Sequence, residues 1–290
     1  MNGIIIVDKP RDWTSHDVVA KLRGTLKVKR IGHGGTLDPL ATGVLPVFVG
    51  RATRAAEFCE NAEKEYVAGL KLGLVTDTQD ITGNTLSRCE TSATEAEISA
   101  VIKRFSGAQK QIPPMYSAIK QDGKKLYELA RRGIEVPRPP REILISEIEL
   151  LGSSDKDYLL RIVCSKGTYI RTLCHDVGQA LGCGAAMSSL RRTRAGPYSI
   201  DMAHTLDDII SAAASADVGR IMLHTDSIFS AYPAATLSET NTLRCKNGAP
   251  CSAADLEDGK YRFYGPDNEF ILFGEVINGD IKVIKGFFEV

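Results

Sequence analysis

The most informative part of this chain of 290 residues is the stretch GHGGTLDPLATG, residues 32–43. It carries one carboxylate, Asp38, in a glycine-rich loop, and Pro39 biases the backbone at Asp38 toward an extended conformation. The spacing is not a dinucleotide fingerprint, because Leu37 stands where the third glycine belongs, and no Gly-Lys-Ser/Thr of a phosphate-binding loop follows. The loop predicts a fixed carboxylate close to a ligand, although an ordinary turn aspartate beside a proline has the same local sequence.

The segments around this loop carry clear secondary-structure signals. Thr14 and Asp17 have the spacing of a capping box and precede apolar residues at helical spacing, which predicts a helix over 15–26. Residues 44–49 are apolar throughout and predict a buried strand, and the apolar stripe of residues 169–181 predicts a helix. Because strands and helices do not alternate regularly, we expect an α+β fold with a central, mostly antiparallel mixed sheet flanked by helices.

Two segments depart from this pattern. Residues 106–142 are rich in Pro, Gly and Lys/Arg, which is typical of an exposed excursion from the core. From about residue 232 the chain is acidic, and short apolar strands alternate with Gly-Pro and Asn-Gly turns. We therefore divide the chain into a domain over 1–230, with the excursion at about 106–142, and a small all-β module over 231–290.

The charges balance overall, with 36 Lys/Arg against 36 Asp/Glu, but they are unevenly distributed. Residues 1–55 carry nine Lys/Arg against four Asp/Glu, residues 101–141 ten against three, and residues 161–195 six against one. If these three blocks meet in the fold, they form a basic groove of the kind that binds nucleic acid. Ordinary solvated faces are the alternative.

Composition excludes several classes of protein. Hydrophobic residues make up 43% and charged residues 25%, as in soluble globular proteins, and no apolar run reaches the roughly 18 residues of a membrane span. The opening MNGIIIVDKP lacks the basic region of a signal peptide. Seven scattered cysteines without a C-x-x-C pair favour reduced thiols over a disulfide framework or a zinc site. We expect a cytoplasmic globular protein that holds no metal.

Four motifs occur in order along the first part of the chain. They are GHGGTLDPLATG at 32–43, IPPMYSA with GKKLY at 112–127, CSKGTYIR at 164–171, and LGCG running on to LRR at 181–192. Together they resemble the bacterial tRNA pseudouridine-55 synthases, the TruB family. The resemblance covers about residues 1–230, and the tail is similar to the PUA-like, RNA-binding β module that ends many members.

The resemblance implies a pseudouridine-synthase-like catalytic domain that isomerises the uridine at position 55 in the T-loop of tRNA, without metal or cofactor. The base is flipped out, detached from C1′, turned and rejoined through C5. The family's motifs assign the essential carboxylate to Asp38, its cationic partner to Arg171, and the active-site tyrosine that stacks on the flipped base to Tyr66. Attack at C1′, addition to the ring and removal of a ribose proton all stay open as the role of Asp38.

Other positions match residues that the family uses to bind substrate. The resemblance places Tyr169 and Leu190 in the wall of the pocket and His33 in the gap left by the extruded base. The basic excursion, including Lys124 and Lys125, is expected to contact the backbone of the T-arm. The implied partner is tRNA, bound by a monomer that needs no obligatory protein partner and no membrane.

Two other functions remain open from the sequence. A non-catalytic RNA-binding or RNA-folding module would suit the charge distribution equally well, and replacement of Asp38 would discriminate. A glycosidase also uses a carboxylate at an anomeric carbon, but it needs two carboxylates flanking the bond. The motifs around Asp38 and Arg171 offer no second acid.

Overall fold

The computed structural model describes residues 1–121, 123–154 and 157–288. Residue 122 of the predicted excursion and the last two residues of the predicted C-terminal module lie outside the described residues. The strands are β1 (Gly3–Lys9), β2 (Ile31–His33), β3 (Thr42–Val49), β4 (Lys64–Leu72), β5 (Leu74–Thr76), β6 (Thr85–Arg88), β7 (Gly107–Gln111), β8 (Lys120–Gln121), β9 (Lys124–Lys125), β10 (Arg141–Ser154), β11 (Asp157–Cys164), β12 (Ala185–Ala195), β13 (Tyr198–Ser199), β14 (Ala234–Thr236), β15 (Cys251–Ser252), β16 (Gly259–Tyr264), β17 (Phe270–Ile277) and β18 (Asp280–Gly286). The α-helices are α1 (Ser15–Leu26), α2 (Ala56–Asn61), α3 (Glu95–Ile102), α4 (Leu126–Ala130), α5 (Ile170–Ala180), α6 (Leu206–Ala214) and α7 (Glu239–Lys246).

A mixed sheet lies at the centre of the protein. Its strand order is β1-β3-β12-β4-β11-β10-β7, with β2 paired to β3 and β13 paired to β12. The pairings are antiparallel except for the parallel pair β3–β12. A second sheet, in the order β14-β16-β17-β18-β15, follows near the C-terminus. The predicted fold class is therefore confirmed, except that the C-terminal module is not all-β, because it contains helix α7. Among the described residues, no helix is both long enough and apolar enough to cross a membrane.

Helix α1 begins where the capping box predicts. The Thr14 hydroxyl accepts a hydrogen bond from the Asp17 amide, and the Asp17 carboxylate accepts one from the Thr14 amide. The helix buries Val18, Val19 and Leu22 against the apolar side chains of β1 and β3. This packing fixes Ser15, the first helical residue, next to the loop that carries Asp38.

Strand β12 is the main element that the sequence analysis does not predict. It lies between β3 and β4 in the middle of the sheet, although its residues 191–194 read RRTR and are typical of an exposed segment. The Arg192 side chain is nevertheless buried, and it donates hydrogen bonds to the main-chain carbonyls of Val44 and Gly35 at 2.7 and 3.1 Å. Burial is possible here because these carbonyls replace water.

The basic excursion is shorter than the predicted range of 106–142. Residues 107–111 form an edge strand paired with residues 141–145 of β10, so both ends of the range belong to the central sheet. Ala108 and Lys110 are exposed while the residues that alternate with them are partly or fully buried, as in an edge strand with one solvated face. The chain between them holds the two-stranded hairpin β8–β9 and the short helix α4.

The basic block over 161–195 provides little free positive charge: Lys166 is exposed and donates to the Asn61 side-chain oxygen, but the five arginines are paired or buried. Three of its arginines form ion pairs with carboxylates: Arg161 with Glu65 and Glu147, Arg191 with Asp8, and Arg194 with Glu63. The other two arginines, Arg171 and Arg192, are buried. The three basic blocks therefore do not contribute equally to one groove. Free positive charge for a ligand comes mainly from the other two blocks.

The C-terminal sheet packs on the rest of the protein through aromatic side chains. Phe229 stacks on Phe273 with ring centroids 4.2 Å apart, and Phe58 meets both rings edge to face. Phe287 belongs to the same buried cluster, which continues to Phe48 of the central sheet. The two sheets therefore share this aromatic cluster, in addition to the buried cluster that the C-terminal sheet forms around Phe263, Leu272 and Val276.

Cys245 and Cys251 are paired as a disulfide within the C-terminal sheet unit, whereas the sequence analysis expected reduced thiols. The turn between α7 and β15 brings the two residues together, and both are buried. The other five cysteines are free, as expected.

Gly43 offers a test of how tightly the Asp38 loop is joined to the sheet. Its φ is 99°, and a Cβ there would lie 2.2 Å from the Arg192 carbonyl oxygen. Gly43→Ala should lower the free energy of unfolding by more than about 2 kcal/mol in urea denaturation. Gly24→Ala is the matched control, because a Cβ there meets no atom within 4 Å, and it should raise stability by about 0.5–1 kcal/mol. Equal effects at the two positions would contradict this account of the loop.

Candidate active site

The backbone of the loop that carries Asp38 is held by hydrogen bonds to the first residue of α1 and to the turn between β1 and α1. The Leu37 amide donates to the Ser15 hydroxyl at 2.8 Å, and that hydroxyl donates to the Leu37 carbonyl at 3.2 Å. The Pro39 carbonyl accepts a hydrogen bond from the Asp12 amide at 2.8 Å. These bonds hold the backbone on both sides of Asp38, whose side chain is 39% exposed and can meet a ligand.

Arg171 lies in the first turn of α5 and forms an ion pair with Asp38. Its Nε lies 2.9 Å from Asp38 Oδ2, and the side chain is 6% exposed. Its Nη1 and Nη2 donate to the main-chain carbonyls of Thr78 and Tyr116 at 3.1 and 2.8 Å. Since a guanidinium stays protonated in proteins, a permanent positive charge stands beside the carboxylate.

Asp80 is a member of this site that the sequence analysis missed. Its Oδ2 lies 3.7 Å from Arg171 Nη1, and its side chain is 8% exposed. Its Oδ1 accepts hydrogen bonds from the Thr82 amide and the Thr78 hydroxyl, each at 2.9 Å. The local sequence TDTQDITG has turn character but no signal for burial, so only the fold shows that this carboxylate faces Arg171.

Apolar side chains surround the ion pair. Tyr66 on β4 and Leu190 on β12 belong to the same buried cluster as Leu37 and Leu40 of the Asp38 loop. Burial raises the pKa of the Tyr66 phenol, while the nearby positive charge of Arg192 acts in the opposite direction. The phenol is therefore neutral at pH 7 and retains a proton.

Tyr169 immediately precedes α5 and is held by a side chain of the edge strand β7. The Gln111 amide group accepts from the Tyr169 main-chain N–H at 2.8 Å and donates to its carbonyl at 3.1 Å. Burial raises the pKa of the Tyr169 phenol. The root of the excursion therefore orients the start of the helix that carries Arg171.

His33 is half-buried at the end of β2. Burial lowers the pKa of its imidazole, and the charge of Arg192 adds to this effect, so the ring is neutral at pH 7. Its Nδ1 is buried without a hydrogen-bond partner in the structure. In the part of the chain described, no hydrogen bond joins the imidazole to Asp38 or Arg171, so the structure does not bring His33 into the ion-pair network.

Lys124 and Lys125 are the two residues of β9 and lie on the excursion, away from the ion pair. Lys124 is exposed, while Lys125 Nζ lies 5.4 Å from the centre of the Tyr127 ring and 3.3 Å from its hydroxyl. No contact between described residues joins either lysine to Asp38. Their position suits contact with the outer part of a large ligand.

Within the residues that the structure describes, no group of three or more His, Cys, Asp or Glu side chains could hold a metal ion. The site instead offers one accessible carboxylate, one guanidinium and a tyrosine in a buried apolar cluster. Such a set can act as a nucleophile or base at one atom and can keep a released planar base from solvent.

The fold and this site together define a pseudouridine synthase. A model for the N-terminal domain of TruB family pseudouridylate synthases matches residues 23–170, and one for the C-terminal domain of tRNA pseudouridylate synthase B matches residues 171–228. The chain belongs to the TruB family of pseudouridylate synthases.

Individual relatives agree with this assignment over nearly the whole chain. The tRNA pseudouridine synthase B of Alkaliphilus oremlandii (strain OhILAs) is 41% identical over 300 residues, covering 100% of this chain and 99% of that protein. The crystal structure of a Cbf5-Nop10-Gar1 complex matches with a TM-score of 0.76 and 29% identity, covering 99% of this chain and 85% of that chain. An H/ACA RNP bound to a substrate RNA containing 2′-deoxyuridine matches with a TM-score of 0.74 and 27% identity, with coverage of 99% and 85%.

The different burial of the two aspartates predicts different effects on stability. Asp80→Asn removes the charge facing a buried guanidinium and should lower the free energy of unfolding by about 3 kcal/mol. Asp38→Asn alters a carboxylate that is 39% exposed and should cost less than about 1 kcal/mol. Urea denaturation of both variants measures this, and a larger loss for Asp38→Asn would show that Asp38 is the structural member of the pair.

Proposed function

We propose that this protein isomerises the uridine at position 55 in the T-loop of tRNA to pseudouridine. The observation that carries the proposal is the Asp38–Arg171 ion pair beside the buried apolar cluster that contains Tyr66. Relatives that are 41% identical over the whole chain are tRNA pseudouridine synthases, which supports tRNA as the substrate.

The reaction needs a carboxylate at the sugar and a pocket for the freed base. The bond from C1′ to N1 breaks, a bond from C1′ to C5 forms, the proton on C5 is lost and N1 gains one. Asp38 assists cleavage of the glycosidic bond, and the Arg171 guanidinium, 2.9 Å away, holds its carboxylate in place. Atoms and electrons balance within the nucleotide, so the proposed chemistry requires no cofactor.

The pocket walls retain the base after it leaves the sugar. Tyr66 stacks on the flipped uracil, and Tyr169 and Leu190 close the pocket around it, which keeps water from the intermediate. His33 occupies the gap that the base leaves in the T-loop, where a neutral imidazole can stack on neighbouring bases.

RNA is bound mainly by the basic excursion, which acts as a clamp on the T-arm. Lys124 and Lys125 contact phosphates there, and a cavity of about 210 Å³ beside the hairpin is lined by Lys120, Arg138 and Arg141 together with apolar side chains. Residues 1–230 serve as the catalytic domain and 231–290 as a PUA-like RNA-binding module. The enzyme acts on tRNA as a monomer in the cytoplasm, without an obligatory protein partner.

The two other functions considered from the sequence find less support. Family membership favours an enzyme over a non-catalytic RNA-binding module. A glycosidase needs a second carboxylate at the bond that is cleaved, and Asp80 is the candidate because it lies near Arg171. Its carboxylate is buried behind the guanidinium and occupied by hydrogen bonds, so it is not available to a sugar.

A T-arm stem-loop RNA provides the direct test. Nucleoside analysis after incubation with the wild-type protein should show pseudouridine, and an RNA with cytidine at position 55 should show none. Asp38→Asn should form no product, while its Kd for the RNA should rise by less than about tenfold, because affinity comes from phosphate contacts. Measurable turnover by Asp38→Asn would rule out Asp38 as the essential group. Pseudouridine formed in the cytidine RNA would show that position 55 is not the target.

The clamp makes a separate prediction. Changing Lys124 and Lys125 together to Ala should raise the apparent Kd and flatten the slope of log affinity against log salt by up to about two, since each lost phosphate contact removes roughly one. Single-turnover rates at saturating RNA should barely change. An unchanged salt slope with a collapsed saturated rate would place this segment in the catalytic pocket instead.

A further inference from the structure

Arg192 is a fully buried arginine whose charge has no carboxylate partner among the described residues. It is 1% exposed, and its Nε and Nη2 donate only to the main-chain carbonyls of Val44 and Gly35, at 2.7 and 3.1 Å. Removing an ion from water without an opposite charge is costly. A buried, unpaired guanidinium at the centre of the fold is therefore expected to have a specific structural or functional role.

The two carbonyls that Arg192 binds stand at the two ends of the loop that carries Asp38. Gly35 precedes Asp38, and Val44 follows it at the start of the buried part of β3. Between them, the main chain of Gly43 packs so closely on Arg192 that no Cβ fits there. One side chain therefore ties both ends of this loop to the central strand of the sheet.

Arg192 also reaches the tyrosine of the site. It lies directly opposite Tyr66 in the antiparallel pairing of β12 and β4, so the two side chains share one face of the sheet and the positive charge of Arg192 acts on the phenol. Arginine has donors only, so the O–H proton of Tyr66 finds no acceptor on Arg192. This proton is available to other groups around the phenol.

We propose that Arg192 is a positioning residue that holds the Asp38 loop and the Tyr66 hydroxyl in one fixed relation to the flipped uridine. This inference rests on the proposed function, because it requires a base stacked on Tyr66 beside Asp38. Arg192 does not touch the base. It acts through the backbone at Gly35 and Val44 and through the phenol.

A double-mutant cycle tests the proposal with the full-length protein and the T-arm RNA. Arg192→Met should lower the single-turnover rate at saturating RNA by about 100-fold, the scale of a small displacement of catalytic groups, while the RNA Kd changes less than about threefold. In a Tyr66→Phe background, the same substitution should cost about tenfold less, because part of its effect passes through the phenol. Arg192→Lys keeps the positive charge and one donor nitrogen, so its single-turnover rate should lie between those of Arg192→Met and the wild type.

Arg161→Met is the matched control, because Arg161 is an arginine of the same sheet that pairs with Glu65 and Glu147 outside the site. Its single-turnover rate should stay within about threefold of wild type. Thermal unfolding of every variant accompanies the kinetics, and if Arg192→Met does not fold, Arg192→Lys takes its place in the cycle. The proposal would be overturned if Arg192→Met lowered the single-turnover rate by the same factor in the wild-type and Tyr66→Phe backgrounds. It would also be overturned if that rate fell only in proportion to losses of Tm and RNA affinity. Absence of pseudouridine with the wild-type protein would instead refute the proposed function.

Discussion

The ion pair between Asp38 and Arg171 is the interaction on which the site depends, because one guanidinium joins four separate segments of the chain. It belongs to α5, and it binds the Asp38 loop, the turn at Thr78 and Asp80, and the carbonyl of Tyr116 at the start of the excursion. It joins the Asp38 loop, which Ser15 and Arg192 also hold, to two segments that are remote from it in sequence. The packing of α5 on the sheet therefore sets the position of the carboxylate.

Much of the fold could be predicted because its signals are local. The capping box of α1 and the continuous apolar run of β3 each specify an element without reference to the rest of the chain. Strand β12 could not be predicted, because the partners that make Arg192 tolerable inside the protein, the carbonyls of Gly35 and Val44, are remote in sequence. Burial of a charge depends on tertiary contacts, which no local pattern encodes.

The same distinction separates the residues of the site. Asp38 and Arg171 stand in glycine-containing motifs, where the backbone can adopt conformations that other residues avoid, and these motifs are visible in the sequence. Asp80 stands in an ordinary turn, and its contact with Arg171 exists only after β5, β6 and α5 have come together. Gln111 likewise gives no local signal, although its amide fixes the backbone of Tyr169. Supporting residues are harder to predict than reactive ones, since their chemistry is common and only their location is special.

The shared aromatic core limits how this chain can be divided in evolution or in the laboratory. The rings of Phe58 and Phe229 on one side and Phe273 and Phe287 on the other form one buried cluster, so separating the two sheets would expose part of the core of each. A protein shortened before the C-terminal sheet would carry two uncovered phenylalanine rings, and such a surface promotes aggregation. A replacement module would have to bring its own aromatic partners, which ties the ancestry of the tail to that of the enzyme in front of it.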